Sequence, residues 1–573
     1  MSQPDWIVLI FTLFAIVLFG IWKGRGKKDL HGYFVGNTTI PWFTIGLSVM
    51  ATQASAITFL STPGQGFSDG MRFVQFYLGL PLAMVVLCIT AVPFYQKLKV
   101  YTAYEFLEKR FDLKTRSLAS FLFLLQRSVS TGLSLLAPSI IFSTILGWNL
   151  TLTNILIGGI VIVYTVSGGT MAVSQTHKLQ MSIVFLGLFV ASCMVIYKLP
   201  DNVSFANAVD VAGTMGKLNA ITFDFDLENR YNIWAGLIGG FFLQLSYFGT
   251  DQSQVGRYLA GQSIYQSRLG LLFNGLLKIP MQFLILFIGV MVFIFYQFSQ
   301  PPIYFNKVEK EKIYASPYAD EFKELEKEYN TTFREKKELL DLYVAGKNNG
   351  SETKEIEQNL RAIQDDSEHI RSQAIEIVKK NNPSVPKDTD YMFINFIIDY
   401  LPIGTVGVLL AMIFAASMSS AASAYNSLSS TTVVDIYKRI LKKDGTDAHY
   451  VSVSKWSTLF WGVFAILFAE FASRLGNLIE AVNILGSLFY GTILGIFLIA
   501  FYFKTIKGSA VFYAALIAQI IVTTIHFLIE YEVFKLSYLW YNVIGCLSVL
   551  GIAFLINGFY KNEELRSVEE AMK

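Results

Sequence analysis

The chain contains 573 residues, of which 53% are hydrophobic and only 16% are charged. A soluble protein of this length would carry about a quarter charged residues, and apolar runs long enough to cross a bilayer recur throughout, so we predict a polytopic membrane protein. The net charge of +3 does not indicate nucleic-acid binding, and the three cysteines form no CxxC pair that would indicate a disulfide framework or a metal site.

The N-terminal segment, residues 1–22, is predicted to be a retained transmembrane helix that precedes the rest of the fold. Its basic cluster, KGRGKK, follows the apolar run, and no small-residue cleavage site is present. Both features differ from those of a signal peptide. The positive-inside rule then places the N-terminus outside.

Hydropathy predicts an all-α protein with about 13 transmembrane helices. The predicted spans are residues 5–22, 40–60, 71–94, 118–146, 151–167, 179–198, 231–250, 270–298, 403–432, 454–473, 478–502, 508–530 and 539–559. Alternating loops collect Lys and Arg on one side, which predicts a plasma (inner) membrane protein with a cytoplasmic C-terminus. The spans divide into two five-helix halves, 40–198 and 231–502, followed by two helices and a short cytoplasmic tail in 508–573.

One long segment, residues 303–388, is too rich in charges of both signs to lie in lipid. Apolar residues recur in it at three- and four-residue spacing, and AGKNNGS interrupts the pattern. This predicts a hairpin of two amphipathic helices inserted into the second half, on the extracytoplasmic side. A solvated spacer or cap is the favoured role, and a site for a protein partner is the alternative.

Enzymatic activity is not predicted. The sequence has no nucleophile elbow, Walker loop, metal-ligand cluster or dinucleotide fingerprint beside a strand. ATP-driven transport therefore has no support in this chain. Buried polar residues in the spans remain, and in a membrane these indicate either helix packing or a solute path.

The stretch AASMSSAASAYNSLSS, residues 415–430, places small and hydroxyl side chains on one helical face. Ala416, Ser419, Ser420, Ser423 and Ser427 recur at helical spacing. Spacing alone favours close helix packing. The alternative is a Na⁺ site, and this would need backbone carbonyls from a second, locally unwound helix.

Two apolar runs contain interruptions of the kind that such a site requires. Residues 50–67 and 244–258 each mix small and polar residues into a span, and each lies in the first helix of one half. Frayed helix ends are an equally good explanation of either run alone. Corresponding interruptions in two halves, however, indicate an inverted-repeat transporter with a binding site near the midplane.

These residues resemble the sodium/solute symporter family. The resemblance rests on SAITFLSTPGQGF, YTAYEFLEKRF, VSGGTMAV, FGTDQSQVGRYLA and SMSSAASAYNSLSSTTVVDIY, in that order, and extends over about residues 30–505 with 303–388 as an insertion. It implies a LeuT-like fold with 5+5 inverted repeats, alternating access and Na⁺ coupling. The main sodium site that it implies consists of the carbonyls of Ala51, Ala54 and Ala416 and the hydroxyls of Ser419 and Ser420.

The resemblance also implies a solute site. A gate tyrosine of the sugar carriers corresponds to Tyr247 and a lysine to Lys278, whereas Gln244 and Asn483 stand where an asparagine and a glutamine are usual. Lys278 also suits an anionic solute, and its alternative is a lysine that snorkels to the interface.

Two further positions depart from the sugar carriers. Tyr77 replaces a glutamate that binds sugar hydroxyls, and Thr58 replaces a glutamine. The missing carboxylate argues against a galactose-like pose. The stretches STPGQGF and FGTDQSQVGRYL are closer to the monocarboxylate and multivitamin carriers.

His177 occupies a position where family members commonly have an aspartate that serves a second sodium site or the cytoplasmic exit. An imidazole cannot replace a carboxylate as a counter-charge for Na⁺, and Lys178 beside it would repel the ion. We therefore predict one coupled sodium. A packing role for His177 is favoured over one in which it titrates and modulates release.

The sequence thus predicts a secondary active, Na⁺-coupled symporter that imports a small polar organic solute. A sugar is favoured, and a monocarboxylate, a vitamin or another organic anion is the alternative. A non-transporting solute sensor and a proton-coupled transporter using His177 or Asp435 are further alternatives. The expected partners are the solute, Na⁺ and the bilayer, without nucleic acid.

Overall fold

The computed structural model describes residues 1–24, 30–34, 40–383, 385, 387–472 and 478–571, and over these residues the chain is helical. The described part contains no strand beyond an isolated bridge between Ile40 and Gly261. The prediction of an all-α protein is confirmed.

The first half of the chain contains nine α-helices and one 3₁₀ helix within the described residues. They are α1 (Gln3–Gly24), α2 (Leu30–Phe34), α3 (Trp42–Gln53), α4 (Ala56–Asp69), a 3₁₀ helix (Gly70–Tyr77), α5 (Leu80–Ile89), α6 (Ala91–Leu98), α7 (Ala103–Arg110), α8 (Leu113–Leu146) and α9 (Leu150–Tyr197). Helix α9 covers two predicted spans and bends at Gly169, where φ is 55°. A β-carbon at this glycine would lie 2.6 Å from the carbonyl oxygen of Tyr33, so the bend needs a residue without a side chain.

The second half follows α9 and includes the charged insertion. Its elements are α10 (Phe205–Thr214), a π-helix (Ala235–Gly239), α11 (Gly240–Thr250), α12 (Gln252–Leu259), α13 (Ile264–Phe298), α14 (Lys307–Tyr314), α15 (Ala319–Asn348), α16 (Lys354–Asn381), a 3₁₀ helix (Asp388–Tyr391), α17 (Met392–Tyr400), α18 (Thr405–Thr431), a π-helix (Thr432–Leu441), α19 (Asp447–Ala472), α20 (Leu478–Tyr502), α21 (Gly508–Glu530) and α22 (Leu539–Ala571).

Ten helical stretches of the described residues are long and apolar enough to cross a membrane, and Leu150–Val166 is a shorter apolar helix. Of the predicted spans, 40–60 is interrupted between α3 and α4, whereas 231–250 ends with α11, just before the extended residue Asp251. A membrane-spanning helix needs about 20 residues, whereas α3, α4, α11 and α12 are each shorter. The integral membrane class is confirmed.

The two interruptions lie at different points from those that proline and glycine would suggest. Between α3 and α4 the backbone is extended at Ala54 and Ser55, and between α11 and α12 it is extended at Asp251. Pro63 lies inside α4. The glycines beside it instead permit close packing, since a β-carbon at Gly64 would lie 2.6 Å from the carbonyl oxygen of Thr389.

The charged insertion forms its own small core and is attached to the transmembrane part at its base. Helices α15 and α16 pack along each other. Near the base, Arg371 pairs with Asp388, donates to the carbonyl oxygen of Ile303 at 3.3 Å, and lies over the rings of Phe305 and Phe67 at 4.9 and 5.8 Å. Because Phe67 belongs to α4, the insertion contacts the second half of the first interrupted helix.

Lys336 is a buried cation between the two long helices of the insertion. It is 2% exposed, and its Nζ donates to Oε1 of Gln364 at 3.1 Å. Burial lowers the pKa of Lys336 to about 8, with Glu368 acting in the opposite direction. The unfolded lysine titrates near 10.4. Between pH 8 and 10.4 the unfolded segment therefore binds more protons, and its stability rises with pH; below pH 8 the full cost of the buried charge remains.

Replacing Lys336 with methionine is expected to raise the free energy of local opening of residues 319–381 by up to roughly 3 kcal/mol at pH 7. Slower hydrogen exchange of these residues in the full-length protein measures this increase. The difference from wild type should shrink as the pH rises from 8 to 10. Lys337→Met is the matched control, because that neighbouring side chain is exposed. Equal protection of wild type and Lys336→Met at pH 7 would contradict the buried charge.

Candidate sodium and solute site

The first interruption places free carbonyls opposite the serine-rich helix α18. The last four carbonyls of a helix have no helical N–H partner, and Ala51 is among those of α3. The hydroxyl of Ser419 donates to the carbonyl oxygen of Ala51 at 2.9 Å and to that of Ala416 at 2.8 Å. Three of the five predicted sodium ligands are thus in contact, and they come from two separate helices.

The other two predicted ligands lie beside this contact. Ser420 donates to the carbonyl oxygen of Ser417 at 3.2 Å, and Ala54 has the extended backbone that turns its carbonyl out of the helical direction. All five predicted ligand atoms are uncharged oxygens, the kind of donor that hard cations prefer. The donor set therefore fits Na⁺.

His177 joins α9 to both of these helices. Its Nε2 lies 3.2 Å from the carbonyl oxygen of Ser419 and its Nδ1 lies 2.8 Å from the hydroxyl of Ser48. Because a carbonyl only accepts, we assign the ring proton to Nε2, which leaves Nδ1 to accept from Ser48. The hydroxyl of Ser423 is 3.4 Å from Nε2 and 2.8 Å from the hydroxyl of Thr52. The imidazole thus occupies the polar space next to the sodium ligands.

A cavity of about 110 Å³ adjoins the serine-rich face. Ser420 is part of its wall, so the cavity and the candidate sodium site share a residue. Five of the six predicted solute-binding residues also line it. These are Thr58, Tyr77, Gln244, Tyr247 and Asn483.

Lys278 is the predicted solute-binding residue that is not part of this wall. Its Nζ lies 5.8 Å from the centre of the Tyr77 ring, and it has no hydrogen-bond partner among the described residues. The side chain is 0% exposed. The snorkelling alternative for Lys278 is therefore wrong, because the amine does not reach the surface.

The sequence analysis missed a buried ion pair at one end of the cavity. Arg127 pairs with Asp251, and the hydroxyl of Tyr490 donates to Asp251 at 3.1 Å. The guanidinium carbon of Arg127 lies 5.4 Å from the ring centre of Tyr247, whose hydroxyl accepts from Nε2 of Gln254 at 2.7 Å. A single arginine in the apolar run FLFLLQRSVS was the available signal, since ionisable residues inside a membrane mark functional sites.

A second polar cluster links α4 to α20. Nε2 of Gln65 donates to the hydroxyl of Tyr231 at 2.7 Å and lies 3.4 Å from Glu480, which pairs with Arg230 at 2.7 Å. Gln65 belongs to α4 and Glu480 to α20, so this contact joins two helices that also contribute Thr58 and Asn483 to the cavity wall. The two polar clusters are candidate closures of the solute cavity.

Comparison with known proteins identifies the class to which this fold and site belong. The model of the sodium:solute symporter family matches residues 33–304 and 376–518. A sodium/sialic acid symporter of Proteus mirabilis is 26% identical over 95% of this chain and 93% of its own. A sodium/glucose cotransporter of Vibrio parahaemolyticus is 24% identical over 88% of this chain and 82% of its own.

A solved structure of a Na⁺-coupled sialic acid symporter, described as substrate-bound, outward-open and containing a novel Na⁺ site, matches with a TM-score of 0.74. It is 22% identical and covers 97% of this chain and 98% of its own. The LeuT-like fold implied by the resemblance is thereby confirmed.

The fold and the cavity are those of a Na⁺-coupled secondary transporter. The chain belongs to the sodium:solute symporter family, and it is a Na⁺-coupled symporter of the membrane. The insertion at 303–388 contains the gap between the two matched segments.

Proposed function

We propose that this symporter imports a sugar acid, a solute with both hydroxyl groups and a carboxylate. The observation that carries this proposal is Arg127, the one charged side chain among the described residues that line the cavity. The rest of the polar wall consists of hydroxyl and amide groups, which suit the hydroxyls of a sugar. The sialic acid and glucose carriers among the relatives support a sugar-like solute.

Arg127 provides the group that a carboxylate needs. A guanidinium binds carboxylates in bidentate geometry, and Nε of Arg127 has no hydrogen-bond partner among the described residues. Asp251 holds the guanidinium from one side. An incoming carboxylate would therefore share Arg127 with Asp251, and its binding is coupled to the closure formed by Asp251, Tyr490 and Tyr247.

The proposed stoichiometry is one Na⁺ for each solute. The ion is held by Ala51, Ala54, Ala416, Ser419 and Ser420, and His177 fills the neighbouring position with an uncharged ring. Because Ser420 belongs to the sodium set and also lines the cavity, each ligand organises the site of the other. By linkage, Na⁺ and solute raise each other's affinity by the same factor.

Transport then follows from opening the two closures in turn. Two five-helix repeats, 40–198 and 231–502, rock about the shared site, with the N-terminus outside and the C-terminus in the cytoplasm of a plasma-membrane protein. The cluster of Gln65 and Glu480 opens to the outside, and the cluster around Asp251 opens to the inside. The insertion at 303–388 caps the outer half through its contact with Phe67.

Proteoliposomes containing the full-length protein test this function. Of radiolabelled sialic acid, glucose, lactate and proline, sialic acid is expected to accumulate under an inward Na⁺ gradient, and replacement of Na⁺ by choline at fixed pH is expected to abolish its uptake. Uptake of glucose in preference to sialic acid would contradict the role of Arg127. Uptake that persists in choline and follows a pH gradient would indicate proton coupling, and Na⁺-dependent binding without uptake would indicate a sensor.

The same assay counts the sodium ions. Initial rates against Na⁺ concentration are expected to give a Hill coefficient near one, because the proposed site has one set of sodium oxygens and an imidazole beside it. The variant His177→Asp restores a carboxylate at that position, and its Hill coefficient is expected to rise. A wild-type coefficient near two would contradict the single-sodium proposal.

A further inference from the structure

Arg257 is a fully buried arginine without a counter-charge in the part of the chain that the structure describes. It is 1% exposed and lies in α12, the second half of the interrupted helix α11–α12. Its Nε and Nη1 have no hydrogen-bond partner among the described residues. A buried, unpaired charge is costly, and removing one partner of a buried pair usually costs several kcal/mol. Such a residue therefore calls for a ligand that supplies the missing negative charge.

The position of Arg257 relates it to the transport path. Gln254 and Arg257 are three residues apart on α12, so their side chains lie on the same side of the helix, one turn apart. Gln254 donates to the hydroxyl of Tyr247, which lines the cavity. Arg257 therefore follows Tyr247 and Gln254 in the direction that leads from the cavity to the connection between α12 and α13.

The sodium site borders the same region. Helix α12 packs against α3 and α18, the two helices that hold the predicted sodium ligands. Helix α9, which carries His177, packs against the same two helices. An aspartate at position 177 would add a carboxylate to this region, whereas the histidine presents its Nε2 to the carbonyl oxygen of Ser419 and offers no negative charge.

We propose that Arg257 is a second anion-binding station on the inner side of the cavity, which receives a monovalent anion once Tyr247 and Gln254 move aside. This inference rests on the proposed function, because the sugar acid is one source of the anion. Its carboxylate would pass from Arg127 to Arg257 on the way to the cytoplasm. A free chloride ion offers the same chemistry and is the other source.

The station at Arg257 also affects the direction in which the anion moves. Arg127 is compensated by Asp251, whereas no carboxylate of the described chain compensates Arg257, so an anion gains more from the inner station once water is excluded from it. The cation leaving the sodium site meets the same positive charge, and an anion bound at Arg257 offsets that repulsion. Binding of the anion at this station thus eases the exit of Na⁺ as well.

Solute exchange in proteoliposomes tests the proposal when measured from each side of the membrane. Arg257→Gln is expected to raise the KM for sialic acid on the cytoplasmic side by about tenfold or more, with the KM on the outer side unchanged. Arg257→Lys retains the charge and is expected to restore most of the cytoplasmic affinity. If chloride is the anion, replacing internal chloride with HEPES, a bulky sulfonate without a carboxylate, will slow wild-type exchange and leave Arg257→Gln unaffected.

A binding measurement separates this proposal from the proposed function. Purified full-length protein is titrated with sodium chloride or sodium acetate against the sodium salt of HEPES, a bulky sulfonate without a carboxylate, at constant Na⁺, and its melting temperature is recorded. Wild type is expected to be stabilised by chloride or acetate, and Arg257→Gln is not. If sialic acid is not transported but this shift is present, the solute assignment fails and the anion station stands.

Three results would overturn the station. They are equal melting shifts for wild type and Arg257→Gln, a KM that changes equally on both sides of the membrane, and failure of Arg257→Lys to restore the cytoplasmic KM in a variant that elutes as a monodisperse protein. Arg257→Lys also provides a test if Arg257→Gln does not fold. A folded lysine variant whose melting temperature rises with anions as in wild type supports the anion station, and a folded lysine variant without this rise contradicts it.

Discussion

Replacing Ser419 and Ser420 together with alanine is expected to abolish Na⁺-dependent solute uptake while the protein remains folded. Ser419 in α18 contacts the free end of α3, and its hydroxyl lies between the carbonyls of Ala51 and Ala416. If each hydroxyl contributes about 1.5 kcal/mol to ion binding, the loss of both raises the half-saturating Na⁺ concentration by about a hundredfold. Initial uptake rates over a range of Na⁺ concentrations measure this shift.

Ser427→Ala is the matched control for the double variant. Ser427 lies on the same face of the same helix and is equally buried, but its hydroxyl donates to the carbonyl oxygen of Ala424 in its own helix at 2.8 Å. This variant is expected to keep the Na⁺ dependence of the wild type. An unchanged Na⁺ dependence in the double variant, with normal melting behaviour, would show that the sodium site lies elsewhere.

Replacing Asp435 with alanine is expected to destabilise the protein by about 3 kcal/mol, because it leaves a buried arginine with one partner fewer. Asp435 is 0% exposed and lies in the π-helix after α18. Its Oδ1 accepts from Nε of Arg116 at 2.9 Å and from the hydroxyl of Thr102 at 2.8 Å. The pair joins α8 and the start of α7 to the end of the helix that carries the sodium serines. A drop in melting temperature of the purified protein measures the loss.

An exposed ion pair provides the comparison for Asp435→Ala. Lys307 and Asp399 pair at 2.8 Å, but their side chains are 54% and 37% exposed. Exposed pairs contribute little, so Asp399→Ala is expected to change stability by less than about 1 kcal/mol. If both variants lower the melting temperature equally, burial does not explain the effect at Asp435.

The sequence could predict the helical class and the insertion because both depend on local composition. A run of apolar residues near 20 in length must cross a bilayer whatever its neighbours are, and the charged residues at 303–388 cannot do so. Hydroxyl spacing on α18 also depends only on helical periodicity, so the shared face of Ser419 and Ser423 was predictable.

The exact residues at which the two helices break could not be predicted from the sequence. The predicted run 50–67 contains the first break, but its Pro63 and neighbouring glycines lie within α4, where the glycines permit close contact with Thr389 and α13. The break is at Ala54 and Ser55, two small residues without a strong turn signal. A helix opens where its carbonyls find other partners, and here that partner is a hydroxyl from a helix more than 360 residues later.

Sequence alone determined which residues could belong to a sodium and solute site, since residue type fixes the chemistry of a ligand. Tertiary structure decided which of them line one cavity. Tyr77 and Arg127 both line it, whereas Lys278 lies outside the wall with its Nζ near the Tyr77 ring. It also left Arg257 buried, with no hydrogen-bond partner for its Nε and Nη1 among the residues that the structure describes. Inside a membrane the low dielectric makes a charge without a partner costly. Whether a charged residue has a partner depends on which residues are its neighbours in space, and the order of residues along the chain does not show this.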